Sequence, residues 1–472
     1  LQMGYTRGMI SSEATAPAVD KRLILLITCL SSFLTPFLGS AINIALPSIG
    51  VEFNLNAVSL GWVATSYLLA AAVFLVPFGR LADISGRMKI FSAGVVIFTV
   101  SSILSAASVS GFMLIASRVL QGLGSSMIFG TGMAILTSAY PPGERGTALG
   151  INTATVYTGL SLGPVLGGLL TQSLGWRSIF FISAGLGWVL MAFTFLLVKK
   201  KNEWREARGE SFDAIGSVLF GLMLVALMYG FSRLPNIVGL WLVLTGLALG
   251  ALLFRVESGT RYPVLNLALF RRNVTFAFSN LAALINYSAT FAAGFLLSLY
   301  LQYIKGLSPR QAGLILVAQP VLMAVVSPVT GWLSDRIEPR LPASLGMALS
   351  AVGLILLVFL QAGTALTVVL GCLALLGLGF GLFSSPNTNA VMSSVDKGQL
   401  GIASATLATM RLTGQMFSMG LALLVIALFV GRVKITPEHH AAFLRGLRTA
   451  FLIFGSLCGV GVFASLARGK VR

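Results

Sequence analysis

The sequence predicts an all-α membrane protein in which two related six-helix bundles are joined through two further helices. Three observations predict it. The chain has 472 residues, 56% of them apolar and only 10% charged, a charge density too low for a water-soluble fold of that length. The apolar residues fall in long unbroken runs, and in lipid such runs satisfy their backbone groups as helices. The third observation is an internal echo. Gly79-Arg-Leu-Ala-Asp83 recurs as Gly331-Trp-Leu-Ser-Asp335, while Gly146, Ala148, Thr158 and Gly159 recur as Gly401, Ala403, Thr413 and Gly414. The offsets, 252 and 255 residues, are nearly equal, so the chain reads as two related halves.

Taken in order, fourteen spans are expected near 23–46, 58–79, 88–108, 112–139, 147–172, 177–198, 213–232, 237–255, 273–302, 310–333, 342–362, 365–391, 399–429 and 446–467. The domain plan is a tail over 1–22, a first bundle over 23–198, a linker with two extra helices over 199–272, and a second bundle with a short tail over 273–472. Lys199-Lys200-Lys201 and Arg271-Arg272 bracket the extra pair. A net charge of +18 could suit nucleic acid, but its placement points to a bilayer instead. On this layout 22 Lys and Arg fall on the side of the termini, 8 on the opposite side and 2 within spans. The positive-inside rule then puts both termini in the cytoplasm of a plasma (inner) membrane protein. Residues 1–20 lack the apolar core of a signal peptide, and Leu1-Gln2 reads as the remnant of a tag. The loop 430–445 is expected to cap the outer mouth.

Catalytic chemistry finds little support. Cys29, Cys372 and Cys458 each lie in an apolar span and read as packing residues. His439 and His440 are the only histidines. No metal site, nucleophile or cofactor site follows, and an enzyme is not expected.

The polar turn Gly79-Arg-Leu-Ala-Asp-Ile-Ser-Gly-Arg-Met-Lys89 carries the organising motif. Gly79 allows close backbone approach, Gly86 lets the chain reverse, and Asp83 can pair with Arg87 or Lys89. Placed between spans 2 and 3, it is similar to the loop signature of the major facilitator superfamily. Gly331, Asp335 and Arg336 are its counterpart in the second half. Arg118, Gln121, Gly122 and Gly124 in span 4 resemble the signature of proton-coupled members, and an arginine there must face a polar cavity or a partner. In span 5, Gly159, Gly163 and Gly167 form one smooth helix face, with Pro164 and Gly168 beside it. That pattern resembles the antiporter signature. Ser40-Ala-Ile-Asn43-Ile-Ala-Leu-Pro47 resembles the end of helix 1 in the fourteen-helix drug:proton antiporter branch. The resemblance implies the major facilitator fold and a monomeric secondary active transporter of the multidrug-efflux type. It would work by alternating access, with protons as a coupling partner and the Asp83 loop as a latch on the inner side.

One departure is informative. Leu38, Gly39 and Ser40 stand where that branch usually has an acidic residue, and all 14 acidic residues fall at loops, linkers or span edges. A lipophilic cation would have no counter-charge at mid-membrane, while Arg118 and Arg411 add positive charge. Neutral or anionic amphiphiles are the expected substrates. Alternatives are a lipid or lipid-conjugate transporter on the same fold, or a sensor or scaffold that does not transport. Asp213 joins Arg118 and Gln121 as a coupling candidate. Candidates for the cavity wall are Asn43, Tyr67, Tyr157, Asn286, Tyr287, Gln319, Asn387, Asn389, Arg411 and Gln415. Pro386 is expected to loosen its helix so that Asn387 and Asn389 face one cavity.

Overall fold

The computed structural model describes residues 21–198, 212–260, 267–396 and 399–469. Most of the expected N-terminal tail, the Lys199 run with the stretch after it, and residues 261–266 lie outside the described residues. The first half comprises α1 (Lys21–Glu52), α2 (Ala57–Ser85), α3 (Arg87–Ala106), α4 (Gly111–Ala139), α5 (Pro142–Leu174) and α6 (Arg177–Val198). A hairpin of α7 (Ala214–Arg233) and α8 (Ile237–Glu257) follows. The second half begins with the short α9 (Leu267–Arg272) and with α10 (Val274–Leu299), which runs on as a π-turn over Tyr300–Ile304. It continues through α11 (Pro309–Leu316), α12 (Ala318–Ser334), α13 (Arg340–Leu357), α14 (Leu366–Ser393), α15 (Leu400–Phe429) and α16 (His440–Ala467). Together α11 and α12 make one crossing, giving 14 candidate spans among the described residues. The face that holds the start of α1 and the end of α16 is termed the terminal face below.

Helix ends are set by short polar caps. Asn56 accepts the Ser59 N–H at 2.8 Å to start α2, and Ser308 and Gln311 form a reciprocal capping box at α11. Inside the bilayer there is no hydrophobic drive between helices, so small residues decide where backbones touch. The two halves use the same crossings. A Cβ on Gly124 would lie 2.9 Å from the Gly94 carbonyl, joining α3 to α4. A Cβ on Gly379 would lie 2.6 Å from the Gly346 carbonyl, joining α13 to α14. Likewise Gly159 meets the Phe33 carbonyl of α1 at 2.5 Å, and Gly414 meets the Leu284 carbonyl of α10 at 2.7 Å. The sequence repeat is therefore a repeat of helix contacts.

The prolines behave differently from expectation. α1 was expected to end near residue 46 but continues through Pro47 to Glu52. Pro47 lacks the N–H that would bond the Asn43 carbonyl four residues earlier. That carbonyl accepts the Ser298 hydroxyl of α10 at 2.7 Å, and Gln302 Nε2 reaches the neighbouring Ile44 carbonyl at 3.0 Å. The second half thus repairs the gap, and the helix survives. α14 also runs unbroken through Pro386, which is buried against its neighbours.

Those bonds belong to a seal. Ala57 N donates to the Val433 carbonyl, Gly61 meets Leu423, and Gly168 and Pro164 meet the backbone at Pro309 and Gly313. Among the described residues, every hydrogen bond between the halves lies at mid-depth or toward the face opposite the termini. The hairpin lies over one seam of that seal. α7 packs on both α2 and α15, with Trp62–Tyr229 and Phe231–Phe417 ring centroids 6.1 and 6.3 Å apart. α8 rests on α7 and presents Leu240, Trp241, Leu244 and Leu247 outward.

Gly159→Val and Gly414→Val are each expected to cost about 1–3 kcal/mol, because a branched side chain would meet backbone that cannot retreat. Gly146→Ala and Gly401→Ala, whose Cβ would meet nothing within 4 Å, should leave the melting temperature in detergent unchanged. Equal melting temperatures for all four variants would mean that the crossings are looser than described.

Candidate functional site at the junction of the halves

The loop motif comes first in the chain. Gly86 has φ +120°, a backbone region that only glycine adopts without strain, and it turns α2 into α3. Arg87 Nε donates to Asp83 Oδ1 at 2.8 Å and Nη1 donates to Ser138 Oγ of α4 at 2.9 Å. Lys89 is exposed, and Gly79 lies beside Gly130. In the second half Asn389 Nδ2 donates to Asp335 Oδ1 at 3.1 Å and to Ser334 Oγ at 3.0 Å. Arg336 stacks on the Trp332 ring at 3.9 Å.

Arg118 is 1% exposed and held wholly within the first half. Its Nε donates to the Val63 carbonyl at 3.1 Å, Nη1 donates to Gln121 Oε1, and the guanidinium stands 4.4 Å from the Tyr67 ring centroid. Gln121 in turn donates to Ser102 Oγ at 2.7 Å, and the Tyr67 hydroxyl shares a 2.6 Å bond with Ser125. This corrects two expectations. Arg118 does not add its charge to the central cavity, and Tyr67 does not line it. Both are turned into the α2–α3–α4 interior, where a desolvated guanidinium needs carbonyl, amide and ring partners.

The junction is built by other residues. Tyr157 of α5 crosses to the second half, accepting from Ser327 Oγ at 3.1 Å and facing Ser384 Oγ at 3.4 Å. Around it pack Met323, Phe380, Leu160 and Tyr287. Tyr287 and Phe380 meet edge to face at 5.2 Å and 87°. Arg411 of α15 donates to Thr388 Oγ1 at 2.6 Å, and its guanidinium lies 5.8 Å from the Tyr287 ring centroid. Its Nε is buried without a hydrogen-bond partner. Arg411 is thus the cation at the junction, and no carboxylate accompanies it among the described residues.

The remaining candidates separate. Asn387 donates to the Ser279 carbonyl at 3.1 Å and receives Arg468 Nη1 at 3.0 Å, whereas Asn389 serves Ser334 and Asp335. The expected shared cavity for the two amides is not formed, because each is claimed by a different helix pair. Asn43 contributes its carbonyl to the seal, and Gln319 packs its backbone against Gly377. Gln415 is half-buried on α15. Asn286 is fully buried on α10, and neither amide atom has a hydrogen-bond partner. Gly163 and Gly167 press on Phe37 and Ala41 of α1, while Gly168 faces Pro309 of the other half. Asp213 caps α7 through the Gly216 N–H at 2.8 Å. Its second oxygen and the carboxylate of buried Glu257 both crowd the Cβ position of Gly216, a convergence that no spacing in the sequence announces.

Arg468 is a further residue that sequence reasoning missed. It follows α16 and is 0% exposed, donating to Asn387 Oδ1, to Ser465 Oγ at 2.9 Å and to the Pro339 carbonyl at 3.3 Å. Burial pushes its pKa down to about 10, with Glu338 opposing the shift, so it remains charged at neutral pH.

Two helical halves around an aromatic junction, sealed on one face, define a membrane transporter. The chain belongs to the Major Facilitator Superfamily, whose profile matches residues 28–269 and 279–471. It is 30% identical to the riboflavin transporter RibZ of Clostridioides difficile, over 95% of this chain and 97% of that one. It is 33% identical to the multidrug resistance protein Stp of Mycobacterium tuberculosis, over 83% of this chain and 73% of that one. In fold it resembles a bacterial homologue of the human lysosomal transporter Spinster, solved inward-facing and unoccupied. The TM-score is 0.67, with 17% identity over 95% of this chain and 97% of that one.

Arg118→Leu leaves the Val63 carbonyl and Gln121 without their buried donor and is expected to destabilise the protein by about 2–4 kcal/mol. Arg118→Lys should recover only part of that, since an ammonium cannot reproduce the planar fork. Thermal unfolding of the purified protein in detergent checks both. A leucine variant as stable as the parent would show that these bonds carry no stability.

Proposed function

We propose that this chain exports amphiphilic compounds, anionic or neutral in preference to cationic, by alternating access. The observation that carries the reading is the mid-membrane junction of Tyr157, Tyr287 and Phe380, with Arg411 as its charge and, among the described residues, no carboxylate bonded to it. An apolar and aromatic wall takes an amphiphile's body, and a half-buried guanidinium with an unpartnered Nε offers a donor to an anionic head. A permanent cation would meet repulsion there and keep its desolvation cost. The likeness to a multidrug resistance protein supports export.

In this reading the terminal face is cytoplasmic, as the distribution of Lys and Arg implies, and the sealed face is external. The structure is then the inward-facing state. Asp83 is occupied by Arg87 of its own loop, and its latch role belongs to the opposite state. Asn43 and Pro47 act in the seal through Ser298 and Gln302 rather than by touching substrate. Among the described residues, proton coupling has no carboxylate to use at the junction. The convergent Asp213 and Glu257 near the terminal face are the coupling candidates.

Orientation is tested by single cysteines at residues 205 and 438. The first should react with an impermeant maleimide only from the cytoplasm, the second only from outside, and the reverse pattern would invert the assignment. Substrate charge is tested with matched anionic, neutral and quaternary-ammonium dyes in proteoliposomes. Arg411→Gln should weaken handling of the anionic dye about tenfold, or roughly 1.4 kcal/mol, and leave the neutral dye unchanged. Rapid export of the quaternary dye by the parent protein would overturn the preference.

A further inference from the structure

The sealed face carries a feature that transport does not use. Where α7 turns into α8, a cavity of about 550 Å³ opens between the hairpin and the end of α15, lined by Arg233, Leu234, Pro235, Asn236, Ala427 and Arg432. Its two guanidiniums come from different parts of the fold. Arg233 Nε donates to the Tyr229 hydroxyl at 2.9 Å, and Arg432 Nη2 donates to the Ser232 carbonyl at 2.9 Å. Each bond orients a guanidinium that carries five donors, so donors remain on both. Neither arginine has a carboxylate within 4.0 Å among the described residues. The start of α8 adds the positive end of its dipole, although the Val238 and Gly239 N–H groups are already taken by the Asn236 side chain and carbonyl at 2.9 and 2.8 Å.

Three other basic residues on this face have partners away from the cavity. Arg177 pairs with Glu52 at 2.6 Å, and Lys305 and Arg448 donate to the Ala362 and Leu360 carbonyls. Arg233 and Arg432 instead converge on one open cavity. Leu234, Pro235 and Ala427 make the apolar part of its wall, with Asn236 beside them. Next to it α8 exposes Ile237, Val238, Leu240 and Trp241, the surface that meets acyl chains. Positive charge at the rim with an apolar helix running into the bilayer matches the two parts of a phospholipid.

We infer that this cavity binds the phosphate headgroup of an anionic phospholipid, clamped by Arg233 and Arg432, with its chains along α8. The site would have a mechanical effect. It joins the hairpin turn to the end of α15, where the adjacent Val433 carbonyl already accepts the Ala57 N–H of α2. A bound lipid therefore holds hairpin and second half together at the seam that must part when the sealed face opens.

The test uses the full chain purified in detergent and stripped of lipid. Added phosphatidylglycerol is expected to raise the melting temperature by several degrees, and phosphatidylcholine by less than half as much. Inorganic phosphate and glycerol phosphate at millimolar concentration should give no shift. The double variant Arg233→Gln, Arg432→Gln should lose the phosphatidylglycerol shift and retain less than a third of the lipid seen by native mass spectrometry. Arg233→Lys, Arg432→Lys, which keeps the charge, should fall between, and supplies a folded comparison if the glutamine variant elutes poorly. An equal shift with inorganic phosphate would assign the cavity to a soluble anion and overturn the lipid assignment. Undiminished lipid retention by both double variants would overturn the site itself.

Discussion

Everything in this structure depends on how close two helix backbones come where no water can mediate between them. In a bilayer, apolar side chains gain nothing by leaving lipid for one another, so helices associate through backbone approach and internal hydrogen bonds. The glycines at 94, 124, 346 and 379 provide that approach in both halves, and those at 159 and 414 repeat it one helix pair further on. The same economy governs the prolines. Pro47 frees a carbonyl within α1, and that carbonyl becomes an acceptor for Ser298 of the other half. A defect in one helix is thereby the fastening between two bundles.

Arg118, Arg468 and Arg411 differ in their surroundings and so in their work, while buried Arg87 belongs to the ion pair of the loop motif. Arg118 is enclosed by a carbonyl, an amide and a tyrosine ring inside the first half. Arg468 ties the ends of α10, α13, α14 and α16 with neutral acceptors. Arg411 stands at the junction, half-buried, with its Nε unpartnered, as the Nε of Arg468 also is. Position beside the aromatic junction is what separates a cation that can serve a ligand from the structural ones. Asn286, buried with both amide atoms unpartnered, shows that the second half also carries polar groups this arrangement leaves without a bond.

The α7–α8 hairpin has contacts with both halves through α2 and α15, so it is more than a spacer between bundles. Rings and methionine, not salt bridges, make those contacts: Tyr229 on Trp62, Phe231 on Phe417, Met228 against Gly420. Such surfaces slide at small cost because no buried ionic bond has to break. At the hairpin's outer turn polar bonds take over, through Arg432 and the Ser232 carbonyl.

The sequence by itself determined the number of crossings, the two-half plan and the loop motif, because charge scarcity, apolar run length and a repeat at one offset are properties of the chain alone. It also determined that no carboxylate lies near the middle of a span, which is a matter of reading where fourteen acidic residues fall. The placement of individual side chains was decided only by tertiary structure. Arg118 and Arg411 look alike in sequence, each a lone cation in a long helix. What separates them is what the neighbouring helices present: a carbonyl and a tyrosine ring of α2 that enclose the first, or a hydroxyl of α14 and a ring of α10 at the junction for the second. Asn387 and Asn389 sit two residues apart, yet helical rotation sends one to Arg468 and the other to Asp335. Phe380, Ser384 and Ser327 carried no signal, being common residues that matter only because Tyr157 of the other half arrives against them.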